Sequence, residues 1–115
     1  MRAAGLPSLL IIMLLTLTAQ AASLKSIMRE MRATLRDGAG LERSFDPGAS
    51  RQLFEKLARE AEASASDASK STQPRFAAFI ADAHKAAGSV TTAAQFKTAL
   101  GGLVAQCRSC HDAAR

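Results

Sequence analysis

From residue 24 to residue 111 the large apolar side chains recur every three or four positions, and nowhere do they alternate. A repeat of three to four is the period of one helix face, whereas a half-buried strand repeats every two residues. Four such stripes can be traced. Leu24, Ile27, Met28, Met31 and Leu35 predict a helix over about 23–37, with Ser23 as a candidate N-cap and Gly38-Ala39-Gly40 as its end. Leu53, Phe54, Leu57, Ala58 and Ala61 predict a second over about 49–63, with Arg51, Glu55, Lys56, Arg59, Glu60 and Glu62 toward solvent. Phe76, Phe79, Ile80 and Ala83 predict a third over about 74–87, starting at Pro74, a favoured first-turn residue. The fourth opens at Thr91 or Thr92, where Thr92 and Gln95 resemble a capping box, and carries Phe96, Leu100, Leu103, Val104, Cys107 and Cys110.

Good helix formers dominate the rest of the chain and β-branched residues are few, so an all-α fold is expected. Residues 38–49 carry turn chemistry, and Leu41 and Phe45 within them are expected to fold back onto the core. The Ser/Ala-rich stretch 64–73 reads as a surface connection. Connections this short favour an antiparallel up-down-up-down four-helix bundle in one domain.

Near the end of the fourth stripe stands Cys107-Arg108-Ser109-Cys110-His111, a C-x-x-C-H sequence. This is the pattern for covalent attachment of a c-type haem. Spacing of i, i+3 puts both thiols on one side of a helical turn, where they can form thioethers with the porphyrin vinyl groups. The neighbouring His111 can then bind iron from the proximal side. Three other uses of a Cys pair fit less well. A redox dithiol of the thioredoxin type opens a helix in a βαβ unit, and no strand signal is present. Zinc needs four ligands, but the chain has no further Cys and only His84 as another His. A disulfide within one helical turn staples nothing distant.

The first residues point to export. Arg2 precedes an apolar run from Leu9 to Leu17, and Ala19-Gln20-Ala21 fits the small-x-small cleavage rule. Residues 1–21 are therefore expected to be a signal peptide, cleaved after Ala21 or Ala22. The run is short for a permanent span of ~20 residues, so no membrane anchor is expected. The mature domain is 22–115 and its destination the periplasm, the compartment in which bacterial c-type haem is attached. Loss of Arg2 lowers the formal charge of +5 to +4. Without Trp, Tyr or a block of like charges, nucleic acid is not an expected partner. A mildly basic surface suits an acidic redox partner and equally suits simple solubility.

In an up-down-up-down bundle the start of the first helix lies level with the end of the fourth. Met28 and Met31 occupy that start, on the inward stripe. A thioether sulfur is a good iron ligand, and His/Met ligation raises the reduction potential. Met at helical spacing also serves as core filler.

Together, Cys107, Cys110, His111 and Arg115, with Leu24-Lys25-Ser26-Ile27-Met28-Arg29-Glu30-Met31 at the other end, resemble the class II c-type cytochromes, the cytochrome c-prime family. The resemblance spans the mature chain in architecture and its two ends in motif. In that family C-x-x-C-H sits near the end of the fourth helix, and an Arg often follows the His by four positions. Low-spin members take a first-helix Met as sixth ligand. The resemblance thus implies one covalent haem c per chain, with thioethers at Cys107 and Cys110 and proximal ligation by His111. It also implies distal ligation by Met28, packing of Met31 against the ring, and Arg115 as a charged neighbour of the haem. A frayed, solvated terminus is the other reading of Arg115. Ala114 departs from the aromatic usual between the His and the Arg.

The expected function is a periplasmic single-haem electron carrier with His/Met-ligated iron. The alternative is a five-coordinate protein binding nitric oxide or carbon monoxide, as in high-spin members. No paired carboxylates, phosphate loop, Ser/His/Asp set or distal peroxidase constellation can be identified, so an enzyme is not expected. The redox partner protein is unspecified, and a homodimer is a candidate because many members of the family dimerise. His84, beside Asp82 and Lys85, reads as a surface residue, although a second haem ligand or partner contact is open to it. Gly101-Gly102 interrupts the fourth stripe, either as a tolerated kink or to admit the haem or a neighbouring helix.

Overall fold

The computed structural model describes residues 25–70 and 72–114. Residues 1–21, expected to be a signal peptide, lie outside the described residues, as do the candidate cap Ser23, Leu24 and Arg115. Among those described there are four helices and no strand: α1 (25–43), α2 (Pro47–Ala65), α3 (Gln73–Ser89) and α4 (Ala93–Ala114). None is long and apolar enough to cross a membrane.

Contacts across the helices give their directions. Thr34 meets Glu60 and Gly38 meets Leu53, so numbering rises along α1 as it falls along α2. Arg75 reaches Ser109 and Asp82 reaches Gln106, which makes α3 antiparallel to α4. The start of α1 shares a cavity with the end of α4, while Gly38 touches Leu100. α1 and α4 are therefore antiparallel as well, consistent with an up-down-up-down four-helix bundle.

One apolar core joins all four helices. Met31 of α1, Leu53, Phe54, Leu57, Ala58 and Ala61 of α2, Phe79 and Ala83 of α3, and Phe96, Leu100 and Leu103 of α4 are buried in it. These are the inward positions of the stripes. Phe96 anchors one end, its ring centroid 5.4 Å from Phe54 and 6.0 Å from Phe45. Phe45 and Leu41 do fold back onto the core.

Local signals set most helix ends. Asp46 caps α2, its Oδ2 accepting from the Ala49 N–H at 2.7 Å, and Pro47 takes the first turn. These residues, expected as a loop, thus begin the helix. The capping box of α4 is formed: Gln95 N–H donates to Thr92 Oγ1 at 3.2 Å, and Thr92 N–H donates to Gln95 Oε1 at 3.3 Å. Between α2 and α3 the connection is exposed at 66, 67, 69 and 70 and closed by bonds such as Thr72 N–H to the Ser69 carbonyl at 3.0 Å.

Two expectations are corrected. Gly38-Ala39-Gly40 does not end α1, which runs on to residue 43. Among the described residues no glycine adopts the positive φ that a left-handed helix end needs. Instead Gly38 is buried at a close crossing, where a Cβ would stand 2.7 Å from Leu100 Cδ2. Second, Glu60 is not solvent-facing but buried between α1 and α2. Thr34, buried opposite it, lies 3.0 Å from Glu60 Oε1. Of the uses left open for Gly101-Gly102, close approach of a neighbouring helix is not seen: both are exposed, and a Cβ on either would meet no protein atom within 4 Å.

Candidate functional site

At the end of the bundle away from Phe96, α1, α3 and α4 part around a cavity of about 540 Å³. α2 contributes nothing to its wall. From α4 come Cys107, Cys110 and His111, with Gln106 and Ser109 beside them. The helical stripe that runs down α4 through Phe96, Leu100 and Leu103 delivers Cys107 to this wall, half-buried, one turn beyond Leu103. His111 follows one turn later and is exposed at the opening.

Facing them, α1 supplies Met28, Met31 and Leu35. Met31 belongs to the buried core, whereas Met28, one turn closer to the helix start, is half-buried. α3 adds Phe76 and Phe79, so the inner wall is apolar. The five described residues singled out in the sequence as haem contacts or ligands thus lie around one space. His84 does not join them. It is exposed on α3, its Nε2 3.0 Å from Glu62 Oε1.

Four cations were missed by reasoning from sequence. Lys25, Arg29, Arg32 and Arg75 line the same cavity, and no Asp or Glu does. Lys25, Arg29 and Arg32 stand at i, i+4 and i+7, a stripe beside the Met stripe that the sequence does display. Arg75 had no such signal, because it reaches the site from the first turn of α3. Its guanidinium donates to Ser109 Oγ at 2.9 Å, tying that turn to the residue between the two cysteines.

Cys107 and Cys110 are free thiols. Burial, and secondarily the charge of Cys110, pushes the Cys107 thiol above its ordinary value. The pair lies in the last turns of α4, whereas an exchange-active dithiol of the thioredoxin type opens a helix. Among the described residues no group of three or more His, Cys, Asp or Glu is assembled, which leaves zinc without its usual ligand set.

The residues fit a haem in three respects. The cavity is within the range of about 300–1,000 Å³ typical of cofactor and ligand pockets. Its wall is apolar, as a porphyrin face requires. Its border is cationic, as two propionates require. No protein-family model, curated protein or solved structure matches the chain.

Proposed function

We propose that the chain is a periplasmic electron carrier of the cytochrome c-prime type, holding one haem c in the cavity between α1, α3 and α4. The observation that carries this reading is the convergence of Cys107, Cys110 and His111 from α4 with Met28 and Met31 from α1 around a single apolar space. Cys107 and Cys110 would hold the haem by thioethers, His111 would be the proximal ligand and Met28 the distal one. When bound, the haem supplies one-electron exchange between ferric and ferrous iron.

The chain's own part is to fix the ligand positions and exclude water. Phe76, Phe79 and Leu35 line the inner cavity with apolar surface. Met31 is packed into the buried core, so its sulfur is less free to move toward a ligand than that of half-buried Met28. A ligand supplied by the protein on both faces of the iron changes little between oxidation states, which favours fast electron exchange. Without the Met28 bond the same cavity would leave an open distal face for a small gas.

Spectra of the oxidised protein and of Met28→Ala and Met31→Ala test the reading. The parent is expected to be low spin, with the weak far-red band of sulfur-ligated ferric haem. Met28→Ala is expected to become high spin while keeping its haem through denaturation, and Met31→Ala to stay low spin. A high-spin parent at neutral pH sinks the electron-carrier mechanism in favour of gas binding, and conversion by Met31→Ala alone moves the ligand to Met31.

A further inference from the structure

The charges of this chain are unevenly placed. At its surface α2 sets Arg51, Lys56 and Arg59 against Glu55 and Glu62, with Glu60 buried. The first three turns of α1 carry Lys25, Arg29 and Arg32 against Glu30 alone. Lys25, Arg29 and Arg32 are exposed, and among the described residues none of the three has an ion pair. They line the cavity with Arg75, whose charge is held at the Cys-x-x-Cys turn by its bond to Ser109. At the end of α4, Arg108 and Asp112 offset one another. The net positive charge of the described surface is therefore gathered at the opening.

We infer that this opening is a docking surface for the acidic face of a partner protein, with Lys25, Arg29 and Arg32 as its principal contacts. The inference rests on the electron-carrier reading and names the kind of partner that reading leaves open. Two propionates, even fully paired here, leave two of the four lining cations uncompensated. Uncompensated exposed cations raise the encounter rate with an opposite field and orient it, and both effects weaken with salt. A surface of this sign around the opening steers an acidic partner to the side where His111 is exposed. The partner would otherwise meet the more nearly balanced α2 face, which takes no part in the cavity.

The test is titration calorimetry of the full mature protein with a synthetic Glu-rich peptide across a range of ionic strength. Vesicles of phosphatidylglycerol in phosphatidylcholine serve as a second anionic probe. Arg29→Gln/Arg32→Gln is compared with Arg51→Gln/Lys56→Gln, a pair on the α2 face with the same change in charge. The first pair is expected to weaken peptide binding roughly fivefold at low salt, as two exposed ion pairs would, and to flatten its salt dependence. The second pair is expected to leave both nearly unchanged. Equal weakening by the two pairs would reduce the effect to total charge and overturn the inference, as would tighter binding to the vesicles than to the peptide. Whether the purified protein carries covalent haem is read separately from its mass. Absence of haem removes the electron-carrier reading together with the docking inference, whereas equal weakening in a haem-bearing protein removes the docking inference alone.

Discussion

The two ends of this bundle share α1 and α4 and do opposite things. At one end Phe45, Phe54 and Phe96 stack at centroid distances of 6.0 and 5.4 Å, and Gly38 lets α1 close onto Leu100. At the other end α1 and α4 are separated by a cavity of about 540 Å³ with Met28 on one side and Cys107 on the other. The closed end is a protein core complete in itself. The open end holds a cavity, apolar within and cationic at its border. A helix pair clamped at one end can hold a gap at the other without collapsing into it, which is the arrangement the proposed haem would require.

The sharpest separation of the two ends comes from removing the cysteines. Cys107→Ala with Cys110→Ala is expected to abolish covalent haem entirely, read as loss of haem staining on a denaturing gel, while the closed end still folds. Haem that survives acid–acetone extraction in the double variant would contradict the attachment.

Next in size, Phe96→Ala strikes the closed end and is expected to cost about 3–5 kcal/mol, as deletion of a fully buried aromatic side chain does. Its effect should appear in the denaturation midpoint of the haem-free protein. If Phe96→Ala costs no more than a surface substitution, the closed end is not the clamp described.

Glycine substitutions make the contrast smaller and finer. Gly38→Ala places a methyl 2.7 Å from Leu100 Cδ2, whose side chain is itself packed in the core, and is expected to destabilise by about 1 kcal/mol after the gain in helix propensity. Gly101→Ala and Gly102→Ala meet open space and are expected to stabilise by about 0.5–1 kcal/mol each. Urea denaturation midpoints should move in opposite directions, and a shared direction would show that the α1–α4 crossing is not close.

The smallest expected effect is a pH dependence at the α1–α2 contact. Burial pushes the Glu60 carboxyl above its ordinary value of 4.5; its bond with Thr34 opposes the rise, as do the charges of Lys56 and Arg59, while Glu30 adds to it. Thr34 Oγ1 has one proton, and lies 2.9 Å from the Glu30 carbonyl and 3.0 Å from Glu60 Oε1. Thr34 donates it to the Glu60 carboxylate or to the Glu30 carbonyl; the bond to Glu60 favours the charged form, but burial outweighs it and the Glu60 carboxyl keeps its own proton to higher pH. Because the folded state holds this proton more tightly than the unfolded chain, the contribution is complete below the unfolded value and is lost as pH rises through the folded one. Glu60→Gln, neutral at every pH, is expected to gain in melting temperature relative to the parent as pH rises from 4 toward 7. A difference that stays constant over that range would mean Glu60 titrates normally.

Much of the fold could be read from residue spacing. The four apolar stripes found the four helices, and Thr92 with Gln95 found the start of α4. The ends of α1 and α2 were misjudged, because Gly38 and Pro47 are ambiguous without their neighbours. A glycine that would end an isolated helix is kept within α1 by Leu100, and Asp46 turned turn chemistry into a cap. Glu60 was misjudged for the same kind of reason, since a charged residue on a helix gives no sign that Thr34 will bury it. At the site, spacing supplied the Cys pair, His111 and the two Met. Arg75 could not be found, because its place depends on how α3 packs against α4.

The central claim is tested most directly by the intact mass of the protein purified from a bacterial periplasm equipped for c-type haem attachment. The account predicts a single species, the chain from Ala22 or Ser23 to Arg115 plus one haem that persists after denaturation. A mass equal to the bare mature chain, with both cysteines free to alkylation, would contradict it.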